Sequence, residues 1–265
     1  MKLSKNNLNK IYEGKTKDVY QYSDEELLLY TKNETTGWWK TDDTGNRYFE
    51  EDPGGNEVGP ATPGIGQKNL IASEYYFRKF IAAGIPTHYI SCDIDENLML
   101  VKAAQVFGQG LEAIIRFYAM GSLLRRFPNK YTEGQPMYDF FEITLKSDID
   151  NDPPITREEL STQRILTESQ YDEVKRICHN AAEIIQLDLK EEDLTLVDIK
   201  FEIGLVDEKI VLIDEMSAGI MRVATDNVLA TNILNEEQLA EVLVTRAKRA
   251  KIIEALLANQ DNCCI

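Results

Sequence analysis

Leu196-Val197-Asp198-Ile199-Lys200-Phe201-Glu202-Ile203-Gly204 alternates strictly between apolar and polar side chains. A strand points successive side chains to opposite faces, so Val197, Ile199, Phe201 and Ile203 share one face, and Asp198, Lys200 and Glu202 the other. Alone, that polar face fits a solvated outer surface as well as the wall of a site. Shortly afterwards, Ile210-Val211-Leu212-Ile213 is too continuously apolar for an outer edge, and it runs straight into Asp214-Glu215. A buried strand ending in a carboxylate, beside a strand offering another, suits an oxygen-ligated Mg²⁺. That ion takes one or two protein carboxylates and completes its shell with phosphate oxygens and water. Glu202 and Asp214 are the candidate metal pair.

Outward from this ribbon, the pattern is strands first and helices later. Ile11-Tyr12, Val19 to Tyr22 and Leu27 to Tyr30 read as three antiparallel strands, with further strand-like segments at 86–91, 97–103 and 111–118. Residues 33–66 hold seven glycines and three prolines and read as a long loop, of the kind that serves as a lid. Leu70, Ile71, Phe77, Phe80 and Ile81 sketch a helix ended by Gly84 and Pro86. Thr167 and Gln170 form a capping box before an apolar stripe from Tyr171 to Ile185. A last helix, about 236–258, carries Leu239, Val242, Leu243, Ala250, Ile253 and Leu257 on one face. The expected class is α+β, with a small antiparallel N-terminal lobe over 1–103 and a larger mixed lobe over 104–265.

The chain has 265 residues, enough for one large domain or two lobes, and 45 acidic against 29 basic side chains give a net charge of −16. That balance argues against a sequence-independent grip on nucleic acid, which needs clustered Lys and Arg. A few placed cations can still bind a small phosphorylated ligand. Four scattered cysteines make no disulfide framework, and two histidines exclude a His-rich metal site. The start, MKLSKNNLNK, has no apolar stretch, so no membrane association is expected and the anticipated compartment is a reducing cytoplasm. Cys263-Cys264 read most simply as an exposed tail.

Two further constellations carry cations. In Tyr12-Glu13-Gly14-Lys15-Thr16-Lys17, a turn with a glycine and two lysines between strands can cover a triphosphate, although a solvated hairpin turn has the same composition. In the segment from Ile114 to Arg126, an apolar strand delivers Arg116, and Gly121-Ser122 opens a short helix. An Arg fork, a Ser hydroxyl and backbone N–H groups make a phosphate-monoester or carboxylate site, which Arg222 could close.

Together these segments resemble the SAICAR synthetase (phosphoribosylaminoimidazole-succinocarboxamide synthase) family. Tyr12 to Lys17 is similar to its nucleotide-covering hairpin, Ala83-Gly84-Ile85-Pro86-Thr87-His88 to the lead-in of a strand, and Arg116 with Gly121-Ser122 to its ribotide-phosphate motif. Lys146-Ser147-Asp148 through Asp152-Pro153 is similar to its acidic turn, and Val197 to Gly204 with Asp214-Glu215-Met216-Ser217 and Arg222 to its catalytic strand and metal turn. The resemblance implies a two-lobed fold with ATP and Mg²⁺ in the cleft between the lobes. It implies phosphorylation of a substrate carboxylate, then attack by an amine to form an amide. In the parent reaction these belong to an aminoimidazole carboxylate ribotide and L-aspartate. By the same resemblance Lys15, Lys17 and Lys102 bind the nucleotide, and Glu202 and Asp214 hold Mg²⁺. Lys200 neutralises the transferring phosphoryl group, and Asp198 orients it or the amine. Arg116, Ser122 and Arg222 clamp the substrate phosphate, and Asp152 occupies a family substrate position. Glu112 also matches a family position, without a role. The partners are then small molecules, a phosphorylated carboxylate and an amine or amino acid; self-association is left open.

The departures are specific. The family usually continues Pro-Asp after the serine, where this chain has Ala218-Gly219. Phe117 stands for an Asn, and Ile65-Gly66-Gln67-Lys68-Asn69-Leu70 lacks a Lys and an Asn of the family's segment. The Asp-x-Thr loop appears as Asn33-Glu34-Thr35-Thr36-Gly37-Trp38-Trp39, extended by the Gly-rich insertion; Trp38 and Trp39 form an acceptor wall or simply anchor that loop. Nucleotide and metal residues are kept while substrate-reading parts change. That suits a paralogue making a different amide, with a small-molecule kinase or a non-catalytic nucleotide-binding regulator as the other readings.

Overall fold

In the computed structural model the apolar runs of the N-terminal third pair into antiparallel ribbons. The structure describes residues 2–147 and 149–261; Asp148, the Cys263-Cys264 tail and the side chain of Leu257 lie outside the described residues. In chain order come β1 (Asn9–Glu13), β2 (Lys17–Gln21), β3 (Glu26–Thr31), β4 (Glu34–Thr41), β5 (Arg47–Glu51), β6 (Glu57–Ala61), α1 (Ile65–Ala82), β7 (Tyr89–Asp93) and β8 (Leu98–Lys102). There follow β9 (Gln105–Tyr118), α2 (Ser122–Arg126), β10 (Pro136–Leu145), β11 (Pro154–Ile155), α3 (Arg157–Thr162), α4 (Glu168–Lys190), β12 (Thr195–Val206), β13 (Lys209–Ile213), β14 (Met221–Ala224) and α5 (Glu236–Asp261). None of the described helices is long and apolar enough to cross a membrane.

The architecture is α+β. The N-terminal sheet runs β1-β2-β3-β8-β7, and the larger mixed lobe is built on β11-β10-β9-β12-β13 with β14 beside β12. Strand β12 is long enough to serve two neighbours along one edge. Its first half pairs β14 and its second half β13, while β9 runs along the other edge. Ile199, Phe201 and Ile203 of the expected apolar face are buried, and α4 packs over them with Val174, Ile177, Cys178, Ala181 and Ile185; a register shift at 196–198 puts Leu196 in this core and Val197 in a separate cluster with Met120 and Ala224. The Thr167–Gln170 capping box starts α4, as its spacing predicts. Strand β10, which the sequence reading leaves unassigned, pairs with β9 and widens the sheet.

Residues 33–66 are not the loop expected from their composition. Most of them form a separate three-stranded sheet in the order β5-β4-β6. The glycines serve close approach here rather than freedom: a Cβ on Gly55 would lie 2.3 Å from the Gly37 Cα, and one on Gly37 2.1 Å from the Glu50 carbonyl oxygen. Pro60 sits on edge strand β6, where a missing N–H is tolerated. Asp42 closes the β4–β5 turn by accepting from the Thr44 and Asn46 backbone amides, each at 2.9 Å.

Helices α1, α4 and α5 are tied by one buried carboxylate. Asp188, with its side chain 1% exposed, accepts from the Tyr75 hydroxyl at 2.8 Å, the Tyr76 hydroxyl at 3.3 Å and Arg246 at 2.8 Å, and also from Lys79. Burial opposes its charge, but the bonds from Arg246 and Lys79 prevail and hold its carboxyl below the ordinary value of 3.8. Its stabilising contribution is therefore complete above that value and is lost as pH falls through the lower folded-state value. Asp188→Ala takes the carboxylate from Lys79 and from two tyrosine hydroxyls, while Arg246 keeps Glu191 and Glu192, and it is expected to cost about 3–5 kcal/mol, the scale of breaking a buried ion pair. Chemical denaturation checks this; a loss under 1 kcal/mol would mean that the three helices do not depend on Asp188.

Candidate active site

Lys15, Lys17, Asp152, Lys200, Glu202 and Asp214 meet on one cleft of about 620 Å³. Lys15 arrives on the turn after β1 and Lys17 on the first residue of β2, Asp152 on the turn after β10, and the other three on the β12–β13 ribbon. Glu202 pairs in register with Ile213, so Asp214 follows directly at the end of β13.

Asp214 adopts a left-handed φ of 66°, unusual for a non-glycine residue and of the kind that collects at functional sites. Its backbone is held from behind. Residues 86–88 pair in parallel with β13, which brings the buried His88 Nε2 within 3.3 Å of the Asp214 carbonyl oxygen. Burial pushes the His88 imidazole down to about 4, so it stands neutral near pH 7. The family-like segment at 83–88 thus has a positioning partner that its sequence alone does not display.

The two carboxylates titrate in opposite directions. Burial and the charge of Asp214 raise the Glu202 carboxyl. Burial opposes the Asp214 charge, but Lys17 and Lys146 hold its carboxyl low. This is the behaviour of two acids crowded into one half-buried site. Lys17 lies 3.1 Å from the Asp214 Oδ2 and also pairs with Glu215, while Lys146 pairs with Glu202. Burial alone would lower the Lys17 ammonium; Asp214 and Glu215 instead raise it well above the lysine range. Among the described residues no group of three His, Cys, Asp or Glu side chains is placed to cage a metal. Mg²⁺ does not need one, since two carboxylates and substrate oxygens suffice, and the mutual repulsion of Glu202 and Asp214 is what a divalent cation relieves.

Lys200 donates to Glu112 at 2.9 Å, and Glu112 in turn accepts from the Thr144 hydroxyl at 3.1 Å. Asp198 has different partners from Lys200. Because β12 lies between β9 and β14, Asp198 is the register partner of Arg116 on one side and Arg222 on the other. Its Oδ2 accepts from Arg116 at 2.8 Å and from Arg222 at 2.7 Å. The carboxylate therefore orders two arginines. Arg116 also donates to Ser122 at 2.9 Å and to Glu142, so the expected Arg116–Ser122–Arg222 group assembles. At Gly121 the φ of 61° and the Arg222 guanidinium, 2.6 Å from where a Cβ would stand, both require glycine. Lys102 stands apart: it ends β8 half-exposed, 3.6 Å from Asp207, and does not line the cleft.

Long-range pairing supplies the residues that sequence reading missed. Asp52, from the β5–β6 turn, pairs with Arg222, and Glu142 of β10 with Arg116 and Arg126. Asn56 of the same turn accepts from Lys15 at 3.2 Å and donates to Asp152 at 3.3 Å. Glu236, at the start of α5, accepts from Asn69 at 2.7 Å. A Cβ on Gly219 would lie 3.1 Å from its carboxylate. The side chain absent at 219 is thus matched by a carboxylate delivered from another element. Burial pushes the Glu236 carboxyl up to about 7; the Asn69 amide opposes this, and Glu215 and Glu51 add to the rise.

Comparison with known proteins gives the family. A family model described as SAICAR synthetase matches residues 56–245. The chain is 40% identical over 221 residues to the phosphoribosylaminoimidazole-succinocarboxamide synthase of Clostridium tetani, covering 83% of this chain and 93% of that one. It is 30% identical over 218 residues to the synthase of the same name from Sulfurisphaera tokodaii, covering 81% and 83%. In three dimensions it is similar to the synthase of Ehrlichia chaffeensis, with a TM-score of 0.71 and 22% identity over 91% of this chain and 96% of that one. It is also similar to a SAICAR synthetase in complex with ADP, with a TM-score of 0.69 and 24% identity over 91% and 95%.

Proposed function

The chain belongs to the SAICAR synthetase family of ATP-using ligases, and on that premise we propose that it couples a phosphorylated carboxylic acid to an amine at the expense of ATP. The carboxylate of an aminoimidazole ribotide and L-aspartate are the first substrates to consider. The observation that carries this reading is the juxtaposition of a half-buried carboxylate pair with Lys15, Lys17 and Lys200 in one cleft, and a separate arginine group beside it. One set of charges suits a triphosphate, the other a substrate anion.

In the proposed reaction a substrate carboxylate oxygen attacks the γ-phosphorus, the bond to the β–γ bridging oxygen breaks, and ADP leaves. The amine then attacks the acyl carbon and inorganic phosphate departs with the C–O electron pair. Lys15 and Lys17 bind phosphate oxygens, and Lys200 faces the charge that moves with the phosphoryl group. Mg²⁺, when bound by Glu202 and Asp214, supplies further neutralisation of the phosphates. Arg116, Ser122 and Arg222 hold the substrate phosphate, and Asp198 fixes the two forks. Asp152 and Asn56 support Lys15 from the opposite wall. Glu236, near neutrality, takes the proton that the amine must lose. The extra β4–β6 sheet and the change at 219 favour, as second reading, a paralogue acting on another carboxylate and amine.

The test supplies ATP, Mg²⁺, the aminoimidazole carboxylate ribotide and each amino acid in turn, following ADP and amide product. Aspartate-dependent ADP with succinocarboxamide is expected, rising with pH through about 7, and Glu236→Gln should remove that limb. Amide with another amino acid selects the paralogue. ADP without any amide sinks the ligase reading in favour of a kinase; nucleotide binding without ADP excludes this ribotide as substrate and leaves a paralogue acting on another carboxylate, or a regulator.

A further inference from the structure

The arginine group is already balanced by three carboxylates, and they differ in origin. Asp198 and Glu142 stand on β12 and β10 of the same sheet as Arg116, locked by strand register. Asp52 comes from the turn of the separate β4–β6 sheet and reaches across to Arg222. Its carboxylate also accepts from the Gly54 amide at 2.8 Å and the Trp38 indole N–H at 3.3 Å, and Arg125 lies 3.7 Å away. Burial works against its charge, but Arg222 and the Gly54 amide hold the carboxyl below its usual range, so it is an anion. Asp52, Gly121 and Arg222 together line an open cavity of about 700 Å³. An anion reaching Arg222 through that cavity competes with Asp52, which already occupies one of its nitrogens.

We propose that Asp52 is a resident counter-anion of the Arg116–Arg222 clamp that makes it selective for a dianionic phosphate monoester over a monoanionic carboxylate. The inference rests on reading this clamp as the substrate-phosphate site. A monoanion can only exchange one negative charge for another on Arg222, and it must also break the Gly54 and Trp38 contacts. A phosphate monoester brings a second charge and more acceptor oxygens, so it gains more at Arg222 than the single charge it displaces. The specificity is built by the competing anion as much as by the arginines. Its source is the β4–β6 sheet, which gives that sheet a role in substrate choice beyond covering the cleft.

The test is calorimetric titration of the full chain with ribose 5-phosphate and with acetate, in the wild type, Asp52→Asn and Asp52→Ser. Trp38 emission is read alongside in a Trp39→Phe background, where Trp38 is the sole indole. Wild-type protein should bind ribose 5-phosphate, shift Trp38 emission as Asp52 is displaced, and ignore acetate. Both Asp52 variants should bind ribose 5-phosphate about tenfold more tightly, the scale of one charge-assisted hydrogen bond, and acetate binding should appear. Arg222 keeps Asp198 in these variants, and unchanged ATP binding in the same samples reports an intact cleft. Equal or weaker phosphate binding by both variants overturns the role of Asp52 while leaving the clamp. Absence of ribose 5-phosphate binding in all three proteins, with ATP still bound, overturns the clamp reading and the proposal with it.

Discussion

Asp214→Asn is expected to lower ADP formation at least about 10³-fold while leaving the fold intact, because it removes charge where phosphate charge has to be neutralised. Asparagine keeps the shape and, unlike most residues, accepts the left-handed φ of 66° at this position. The His88 contact is to the backbone oxygen and survives. Lys17 retains Glu215 as a partner, so the variant leaves no orphaned buried ammonium. A thermal melt should therefore move little while the Mg²⁺ concentration needed for half-maximal turnover rises. Glu202→Gln should behave in the same way, since it removes the second member of the pair. Turnover within threefold of wild type in Asp214→Asn would exclude Asp214 from metal and phosphate binding.

That pair could be read from sequence because its signals are local. Alternation sets the faces of β12, an apolar run buries β13, and a short turn forces the two to be neighbours, so Glu202 and Asp214 converge without any long-range information. The capping box of α4 is local in the same sense. The 33–66 segment failed for a physical reason. Its glycines report backbones that touch, at Gly37 and Gly55, and composition cannot distinguish that from a flexible loop. The partners of Asp198 were hidden for another. Its facing direction was legible, but its partners are set by which strands flank β12, and β9 and β14 each place an arginine opposite it. Asp52, Glu142 and Glu236 belong to the same class, because each meets its partner through tertiary pairing alone.

Lys200→Met is expected to lower kcat by about 10²–10³-fold with the KM for ATP changed only a few-fold, as befits a group whose charge matters most in the transition state. Lys200 is aimed by a chain that crosses three strands, from the Thr144 hydroxyl to Glu112 at 3.1 Å and from Glu112 to the ammonium at 2.9 Å. Burial would lower the ammonium, yet Glu112 and Glu202 keep it raised, so it is charged at every working pH. It can neutralise but cannot serve as the base, and no pH limb should disappear with it. The competing explanation is structural: Lys200 exists to balance the buried Glu112, and Lys200→Met fails because that carboxylate is left alone. The double variant Lys200→Met/Glu112→Gln separates the two. If Lys200 only balances Glu112, removing both charges restores both stability and turnover. If it acts on the transferring phosphoryl group, the melting temperature recovers and kcat stays low. The second pattern is the expected one, and restored turnover in the double variant would return Lys200 to the scaffold.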